Sequence, residues 1–303
     1  MSKRRVLVTG GTGQVGTELL QRVWPDDVEL IAPTRSELDL TDCEGIEEYI
    51  STGDFAAVVN SGAYTAVDKA ESDVLTAWKV NALAPAAIAA ASKRRGIPIV
   101  HISTDYVFDG SKIEPYVEDD PVAPLGVYGA SKEAGEQAVR TGNPRHVILR
   151  TAWVFSPHGA NFVKTMLRLG AERTELRVVD DQRGSPTAAA DIAEAIKTIV
   201  LRQLSDFGAP AGTYQFVNAG DATWCEFARQ IFDDAASPGK AAPKVTGIPT
   251  SEYPTPARRP RNSCLSVEAI KRDFDVAPRP WREALKSTLK LLLSESRAEV
   301  SRS

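Results

Sequence analysis

The stretch VLVTGGTGQVG, residues 6–16, decides the class of fold. A β-rich run leads directly into a glycine-rich turn, and a helical pattern of apolar residues continues through Leu19, Leu20 and Val23. Glycines in such a turn allow the backbone to approach a pyrophosphate and the helix to pack tightly on the strand. The spacing is GxxGxxG, and the flanking strand and helix favour dinucleotide binding over an ordinary strand-to-helix connection. The predicted cofactor contacts in this turn are Gly10, Gly13, Gln14, Val15 and Gly16.

Length and composition narrow the class of protein. The chain has 303 residues, of which 43% are hydrophobic, and a formal net charge of -4. This length fits one large α/β unit with a smaller lobe, and the charge gives no basic field for nucleic acid. Neither a signal peptide nor an apolar run of transmembrane length is expected, so we predict a cytoplasmic protein without a membrane partner. Three cysteines at 43, 225 and 264 match neither a disulfide framework nor a zinc spacing.

The first half of the chain alternates β-rich and helical stretches. Strands are predicted at 28–31, 57–60, 97–104 and 147–151, and helices around 74–94 and 127–141. This βαβ rhythm is typical of a parallel sheet. We therefore predict an α/β fold, a Rossmann-type doubly wound parallel sheet with a smaller α+β substrate lobe. Because ligands of such sheets bind beyond the carboxyl ends of the strands, residues 10–16, 60–65 and 103–106 should face one crevice.

The rhythm loosens after Thr151, where proline and glycine clusters become frequent. We expect residues 1–150 to form the NAD(P)-binding domain, and residues 151–190 and 219–303 to form the substrate lobe. Segment 191–218 contains a helical and a β pattern that can return to the first domain. The two units are therefore expected to interleave.

A tyrosine and a lysine four residues apart form the second motif. Tyr128 and Lys132, in YGASK, lie on one face of a predicted helix, and of seven tyrosines only Tyr128 has lysine at this spacing. An adjacent ammonium lowers the pKa of a phenol by about one to three units, which suits the phenol to acid–base work. The strand before this helix ends in the hydroxyls of Ser103 and Thr104. A half-buried tyrosine beside a solvated lysine is the alternative interpretation.

Together the glycine turn, the strand-terminal hydroxyl and the YxxxK pair resemble the extended short-chain dehydrogenase/reductase family. Segments 63–71 and 150–154 resemble the branch that reduces dTDP-linked 4-keto sugars. The resemblance implies NAD(P)H-dependent reduction of the C4 ketone of dTDP-6-deoxy-L-lyxo-4-hexulose to dTDP-L-rhamnose. It implies Thr104 as the hydroxyl that orients the carbonyl and Tyr128 as the proton donor. Lys132 would tune Tyr128 and hold the nicotinamide ribose.

The same resemblance implies substrate contacts. Asp105, Tyr106 and Trp153 would meet the sugar, although Asp105 could instead cap a loop and Trp153 could be a core residue. Tyr106 stands where related dehydratases carry a glutamate, so elimination lacks an evident base and simple reduction is favoured. Guanidinium forks suited to a diphosphate, or a solvated basic loop, are found at Arg258, Arg259 and Arg261.

Cofactor preference is indicated after the second strand. An NAD enzyme usually places a carboxylate there for the ribose 2'-hydroxyl, whereas this chain places Arg35 there and Glu37 slightly beyond. We therefore favour NADPH, with NADH still allowed. By resemblance, Asp39 and Leu40 would contact the adenine, although Asp39 could instead be a turn residue before the second helix. The path from adenosine to nicotinamide would be lined by Ala63, Tyr64 and Thr65.

Other functions remain consistent with the sequence. One is a non-catalytic NADP-binding regulatory subunit, although the intact set of Thr104, Tyr128 and Lys132 argues against it. Another is a reductase or epimerase of a different nucleotide-linked 4-keto sugar. Some relatives hold magnesium at a dimer contact, so the resemblance allows Mg²⁺ and a homodimer, with Glu18 as one candidate carboxylate. The residues themselves give no set of metal ligands.

Overall fold

The computed structural model describes residues 3–236 and 242–300. The predicted lobe segment 219–303 therefore includes residues 237–241 and 301–303, which lie outside the described residues, as do residues 1–2 of the first domain. The strands are β1 (Arg4–Thr9), β2 (Val28–Ile31), β3 (Ala57–Asn60), β4 (Ile99–Thr104), β5 (His146–Thr151), β6 (Val154–Phe155), β7 (Glu175–Val179), β8 (Arg183–Gly184), β9 (Thr187–Ala188), β10 (Gly212–Gln215), β11 (Ala222–Thr223), β12 (Lys244–Ile248) and β13 (Asn262–Ser263). The α-helices are α1 (Gln14–Gln21), α2 (Cys43–Thr52), α3 (Val67–Ala70), α4 (Val74–Trp78), α5 (Ala84–Arg94), α6 (Val127–Gly142), α7 (Phe162–Glu172), α8 (Ala189–Ser205), α9 (Trp224–Ala235), α10 (Glu268–Phe274) and α11 (Trp281–Val300).

Six parallel strands form the main sheet, in the order β10-β5-β4-β3-β1-β2. From β1 the chain moves outward to β2 and then returns to β3 on the other side of β1. In doubly wound sheets this reversal of strand order opens a crevice at the carboxyl ends. Thr9 and Asn60 end the two strands that flank it, and the Thr9 hydroxyl donates to the Asn60 amide oxygen at 2.6 Å. The predicted fold class is confirmed.

Side-chain alternation along β1 explains why helices cover both faces of the sheet. Val6 and Val8 join one core, which includes Ile196 of α8, whereas Leu7 joins the opposite core, which includes Ile88 of α5. Successive residues of a strand point to opposite faces, so an uninterrupted apolar run is buried on both sides. The sheet therefore lies between two helical layers and leaves its carboxyl edge for ligands.

The helix over 74–94 departs from regular geometry at a π-helical turn, Lys79–Leu83, that joins α4 to α5. Pro85 has no N–H to offer the carbonyl of Asn81 four residues earlier, so a regular helix is interrupted there. By length and hydropathy this helix could cross a membrane, so the expectation of no run of that length is wrong. However, 56% of its most apolar 18-residue window is buried within the protein, and Ile88 packs in the core beneath the sheet, as expected of a core helix.

A second core organises the later part of the chain. It includes Phe155, Phe227, Trp281 and Leu285 and packs α7, α9 and α11 around short strands. Strand β10 does not belong to this core, because it pairs with β5 and extends the main sheet. Chain segments after Thr151 therefore contribute both to the main sheet and to a separate apolar centre.

Candidate active site

The glycine-rich turn joins β1 to α1 and needs glycine for two reasons. Gly10 has φ of +71°, in the left-handed region, and a Cβ there would lie 2.6 Å from the backbone of Gly62. A Cβ on Gly16 would lie 2.1 Å from the Gly10 carbonyl oxygen. Gly13 begins α1 without any capping side chain, so the first N–H groups of the helix stay available to an anion. The turn thus fits a pyrophosphate.

A cleft of about 980 Å³ runs along the carboxyl edge of the sheet from this turn. Gly16 does not line it, because that residue packs α1 against the turn. Every other residue predicted to bind cofactor or sugar lines this cleft: Gly10, Gly13, Gln14, Val15, Arg35, Asp39, Leu40, Ala63, Tyr64, Thr65, Thr104, Asp105, Tyr106, Tyr128, Lys132 and Trp153. The three strand ends expected to face one crevice therefore do so.

One end of the cleft carries the groups that bear on cofactor preference. The Arg35 side chain is 80% exposed, and its Nε lies 4.0 Å from an Asp39 carboxylate oxygen. Asp39 also accepts a 2.9 Å hydrogen bond from the backbone N–H of Thr41, which lowers the pKa of its carboxyl. Glu37 accepts from both the N–H and the hydroxyl of Thr34. One oxygen of the Glu37 carboxylate, Oε2, is thus engaged by Thr34, while the Arg35 guanidinium remains open to a ligand.

The other end gathers Thr104, Tyr128 and Lys132. Thr104 is the last residue of β4, and the other two lie one turn apart near the start of α6. All three are buried. The Lys132 ammonium donates to the Ile102 carbonyl oxygen at 2.6 Å, which fixes its position beside the strand end. The structure therefore brings together the hydroxyl, phenol and ammonium groups that the sequence predicted.

Charge states at this end differ from expectation. We expected the lysine to lower the pKa of Tyr128, but burial raises it to about 12, and the Thr104 hydroxyl offsets only part of that rise. Burial also lowers the pKa of Lys132 to about 8, against an opposing effect of Glu136. The expected lowering is not met because burial disfavours the phenolate and the nearby charge of Asp105 disfavours it further. Tyr128 therefore stays protonated at neutral pH, as a proton donor must.

Asp105 and Tyr106 follow Thr104 in a tight 3₁₀ turn. The Thr104 hydroxyl donates to an Asp105 carboxylate oxygen at 3.0 Å, and burial raises the pKa of Asp105 to about 6. The second Asp105 oxygen is buried and makes no hydrogen bond of good geometry in the described part of the chain, although the Ser263 side chain lies close enough to offset part of the rise in pKa. The Tyr106 ring meets Tyr128 edge-on, with centroids 5.4 Å apart. An unpaired buried carboxylate oxygen beside the phenol is available to a polar ligand.

Asn81 and Ser131 are site residues that sequence reasoning missed. The Asn81 amide accepts from the Tyr64 N–H at 2.8 Å and donates to the Tyr64 carbonyl at 3.1 Å. It also donates to the Ser131 hydroxyl at 3.0 Å, and that hydroxyl donates to the Tyr128 carbonyl. Asn81 thereby ties the Tyr64 loop to the helix that carries Tyr128. Its position in the π-helical turn has no local sequence signal except the proline four residues later.

Glu136 and Arg150 form a buried ion pair that was also missed. The Arg150 guanidinium donates from Nε and Nη2 to the two Glu136 oxygens at 2.9 and 2.8 Å. Glu136 lies one helical turn beyond Lys132, and the paired charges hold the pKa of its carboxyl below its usual value despite burial. A glutamate four residues after the lysine, on the same helix face, was the signal available in the sequence. The pair joins α6 to β5 behind the reactive groups.

A second cavity of about 680 Å³ lies in the later part of the chain, between α7, β7, α9 and residues 248–259. Trp153, with φ of +47°, stacks on Trp224 with centroids 3.5 Å apart and planes 8° from parallel. Trp153 lines the first cleft and Trp224 lines the second cavity. Trp153 also packs on the core beside Phe108. The Trp153 indole therefore both lines the cleft and packs against a core, so its position fits both interpretations of the sequence.

The three arginines considered for a diphosphate occupy different places. Arg259 lines the second cavity and pairs with Asp68 at 2.8 Å. Arg258 and Arg261 are exposed and line neither of the two cavities. The structure thus brings only Arg259 to a site in which an anionic ligand can be enclosed.

The candidate metal ligand Glu18 is engaged elsewhere. Its carboxylate oxygens lie 2.7 Å from Arg22 and 3.5 Å from His158. Among residues 3–236 and 242–300, no group of three or more His, Cys, Asp or Glu side chains is arranged to hold a metal ion. The magnesium allowed by resemblance therefore finds no ligand set in this region.

The sheet, the glycine turn and the long cleft define a Rossmann-type protein of the extended short-chain dehydrogenase/reductase class. Residues 4–294 match the family model described as the RmlD substrate binding domain. A dTDP-4-dehydrorhamnose reductase from Sinorhizobium fredii is 42% identical over 294 residues, which cover 97% of this chain and 99% of that protein. The chain therefore belongs to the dTDP-4-dehydrorhamnose reductase family, which confirms the resemblance inferred from its motifs.

Solved structures agree with this assignment. A dTDP-4-dehydrorhamnose reductase from Clostridium acetobutylicum is 38% identical, covers 95% of this chain and 99% of its own, and superimposes with a TM-score of 0.88. The enzyme from Bacillus anthracis, solved in complex with NADP, is 36% identical and has a TM-score of 0.87. That comparison covers 94% of this chain and 98% of the other. The likeness extends over both the main sheet and the later core.

Proposed function

We propose that this protein uses NADPH to reduce the C4 ketone of dTDP-6-deoxy-L-lyxo-4-hexulose to dTDP-L-rhamnose, a deoxysugar donor for polysaccharide biosynthesis. One observation carries the proposal. A single cleft connects a pyrophosphate-compatible glycine turn to the buried Thr104, Tyr128 and Lys132, and an aromatic cavity lies beyond Trp153. Sequence relatives named for this activity match the full length of the chain.

NADPH is the cofactor we assign. The first N–H groups of α1 have no capping side chain, and Arg35 is open to a 2'-phosphate while Glu37 is held by Thr34. Guanidinium favours phosphate, whereas recognition of a ribose diol needs a free carboxylate. The NADP complex of the Bacillus anthracis relative supports the same choice.

The mechanism follows from the buried groups. When bound, the nicotinamide supplies a hydride to C4 of the sugar. Tyr128, protonated because its pKa is raised, donates its proton to the oxygen that was the ketone. The Thr104 hydroxyl orients that oxygen, and Lys132 stabilises the phenolate left after proton transfer. Asp105 meets a sugar hydroxyl with its unpaired oxygen.

The rest of the substrate is assigned to the second cavity. Its aromatic side chains, among them Phe162 and Trp224, suit a nucleotide base, and Arg259 suits a diphosphate. Residues 1–150 with 191–218 then form the NAD(P)-binding domain, and 151–190 with 219–303 form the substrate lobe. Pairing of β10 with β5 and the separate core of α7, α9 and α11 support this division, except that α10 packs Ile270 and Phe274 into the core of the main sheet. Free cysteines at 43, 225 and 264 support a cytoplasmic location.

Turnover tests the proposal. Purified protein is incubated with NADPH and enzymatically generated dTDP-6-deoxy-L-lyxo-4-hexulose, and nicotinamide absorbance is followed. We expect NADPH oxidation with this sugar and much slower oxidation with a UDP-linked 4-keto sugar. Folded protein that binds NADPH but oxidises it with neither sugar would reject the reductase assignment and favour the regulatory-subunit alternative. Preference for the UDP sugar would reject the named substrate.

A further inference from the structure

Asp68 and Arg259 form a contact between segments 191 residues apart in the chain. The Arg259 guanidinium donates to the two Asp68 carboxylate oxygens at 3.2 Å from Nη1 and 2.8 Å from Nη2. Asp68 also accepts from the backbone N–H of Ala257 at 3.1 Å. The carboxylate therefore holds both the arginine and the loop that carries it.

The remaining contacts fix the guanidinium in one orientation. Its Nη1 also donates to the Thr255 hydroxyl and to the Ala257 carbonyl. All of these bonds use the end of the fork formed by Nη1 and Nη2. Within the described chain, Nε makes no hydrogen bond and Nη2 makes only the bond to Asp68. The side edge formed by Nε and Nη2 is therefore free, and this edge can grip two oxygens of a phosphate.

This contact lies at the junction of the two cavities. Arg259 and Thr255 line the second cavity, whereas Val67 and Lys69, which flank Asp68 in α3, line the first cleft. A nucleotide sugar with its ketone at Tyr128 and its base in the second cavity must place its diphosphate between them. The Arg259 side chain is only 23% exposed, so its rotamer freedom is already restricted before a ligand arrives.

We infer that Asp68 is a positioning residue, which orients Arg259 so that its free edge binds the diphosphate of a nucleotide-sugar substrate. The inference rests on the proposed function. Asp68 touches no reacting atom and acts only through the arginine. Removing its charge leaves the Arg259 cation in place but releases both the guanidinium and the Ala257 loop, so binding of the diphosphate weakens while the chemistry at Tyr128 is spared.

Calorimetric titration of the NADP-loaded protein tests this inference with dTDP and thymidine as probes. For Asp68→Asn we expect dTDP affinity to fall about ten-fold and thymidine affinity to stay within about two-fold. In turnover, KM for the dTDP sugar should rise by a similar factor with kcat nearly unchanged. Arg259→Lys keeps the charge but lacks the fork, and should reproduce the loss. The matched control is Glu47→Gln, which removes an arginine–carboxylate pair with Arg94 outside both cavities.

Two results would overturn the inference while leaving the proposed function standing. One is dTDP binding to Asp68→Asn that is as tight as, or tighter than, binding to wild type, which would make Asp68 a bystander or a competitor of the phosphate. The other is an equal loss of dTDP and thymidine binding, which would show that Asp68 only supports the fold of the lobe. Wild-type protein that binds neither probe and reduces no dTDP sugar would instead overturn the proposed function and the inference with it.

Discussion

The carboxyl edge of the sheet and the cavity of the later lobe use polar groups differently. At the sheet edge, Asp105, Tyr128 and Lys132 are buried, and their pKa values are shifted mainly by desolvation. In the lobe cavity ion pairs hold charged groups nearer the surface: Arg177 pairs with Glu252, both exposed, and the partly buried Arg259 pairs with Asp68. Burial can tune acid–base groups, whereas half-open pairs provide recognition. The difference supports the proposal that chemistry takes place at the sheet edge and that the lobe recognises the substrate.

The largest expected effect is a loss of kcat when the proton donor at the sheet edge is removed. Tyr128→Phe removes the proton donor while keeping the ring against Tyr106, so kcat should fall by about 10² to 10⁴-fold. NADPH affinity, measured by fluorescence titration, should change by less than about three-fold. The control Tyr214→Phe removes a hydroxyl that donates to Asp273 outside the two cavities, and should keep wild-type kcat. Near-normal turnover of Tyr128→Phe would place the proton donor elsewhere.

A smaller effect concerns the stability of the same edge. In the folded protein burial raises the pKa of Asp105 from 3.8 to about 6, so the neutral carboxyl stabilises the fold below about pH 4. That contribution is lost as the pH rises through about 6. Asp105→Asn has no carboxyl to ionise over this range, so its free energy of unfolding relative to that of the wild type should rise by about 2.5 kcal/mol between about pH 4 and about pH 8. Urea unfolding gives the free energy of unfolding of both proteins at each pH. Profiles that stay parallel over this range would contradict a raised pKa of Asp105 in the folded protein.

A third change affects the lobe side of the cleft. A Cβ on Gly184 would lie 2.4 Å from the Trp153 indole, so Gly184→Ala should push Trp153 off Trp224. We expect KM for the dTDP sugar to rise about ten-fold, tryptophan fluorescence to change and NADPH affinity to stay constant. Gly208→Ala is the control, because its new Cβ meets no atom closer than 3.4 Å. An equal loss of NADPH affinity would remove the proposed separation of roles.

The smallest expected effect tests cofactor preference at the far end of the cleft. The Arg35 side chain is 80% exposed, so its contact with a 2'-phosphate should contribute about 1 kcal/mol. Arg35→Gln should therefore raise KM for NADPH about five-fold and leave KM for NADH unchanged. Steady-state kinetics with each cofactor measure this, with the exposed Arg95→Gln as control. Equal changes for both cofactors would show that Arg35 does not read the phosphate.

The contrast between the two regions also explains what the sequence could predict. Strands predicted at 28–31 and 57–60 have those bounds in the structure, because each is a short stretch rich in apolar and β-branched residues between clear turn signals. The strand predicted from 97 begins at 99, since the Ile97 N–H bonds back to Ser92 and Pro98 has none. Tyr128 and Lys132 are four residues apart on one helix face, and Thr104 ends a strand whose carboxyl end is expected at the crevice, so short motifs and the βαβ order together bring them to one site.

The sequence of the later lobe contains few such motifs or regular patterns. Its cavity is assembled from α7, β7, α9 and a loop near 255, and strands of two residues such as β8 leave no alternating pattern to recognise. The Asp68–Arg259 contact joins a short helix to a loop that lies 191 residues later in the sequence. The sequence offered three neighbouring arginines with guanidinium groups suited to a phosphate. Only the folded structure shows that Arg259 is the one that lines a cavity.

Isotope transfer tests the central claim most directly, that one cleft reduces C4 of the sugar. NADPH carrying deuterium at the transferable nicotinamide position is supplied with dTDP-6-deoxy-L-lyxo-4-hexulose, and the isolated product is analysed by NMR and mass spectrometry. We predict dTDP-L-rhamnose with deuterium at C4 and one NADPH oxidised for each sugar formed. A rearranged sugar without deuterium at C4, or product formed without net NADPH oxidation, would contradict the account and indicate an epimerase.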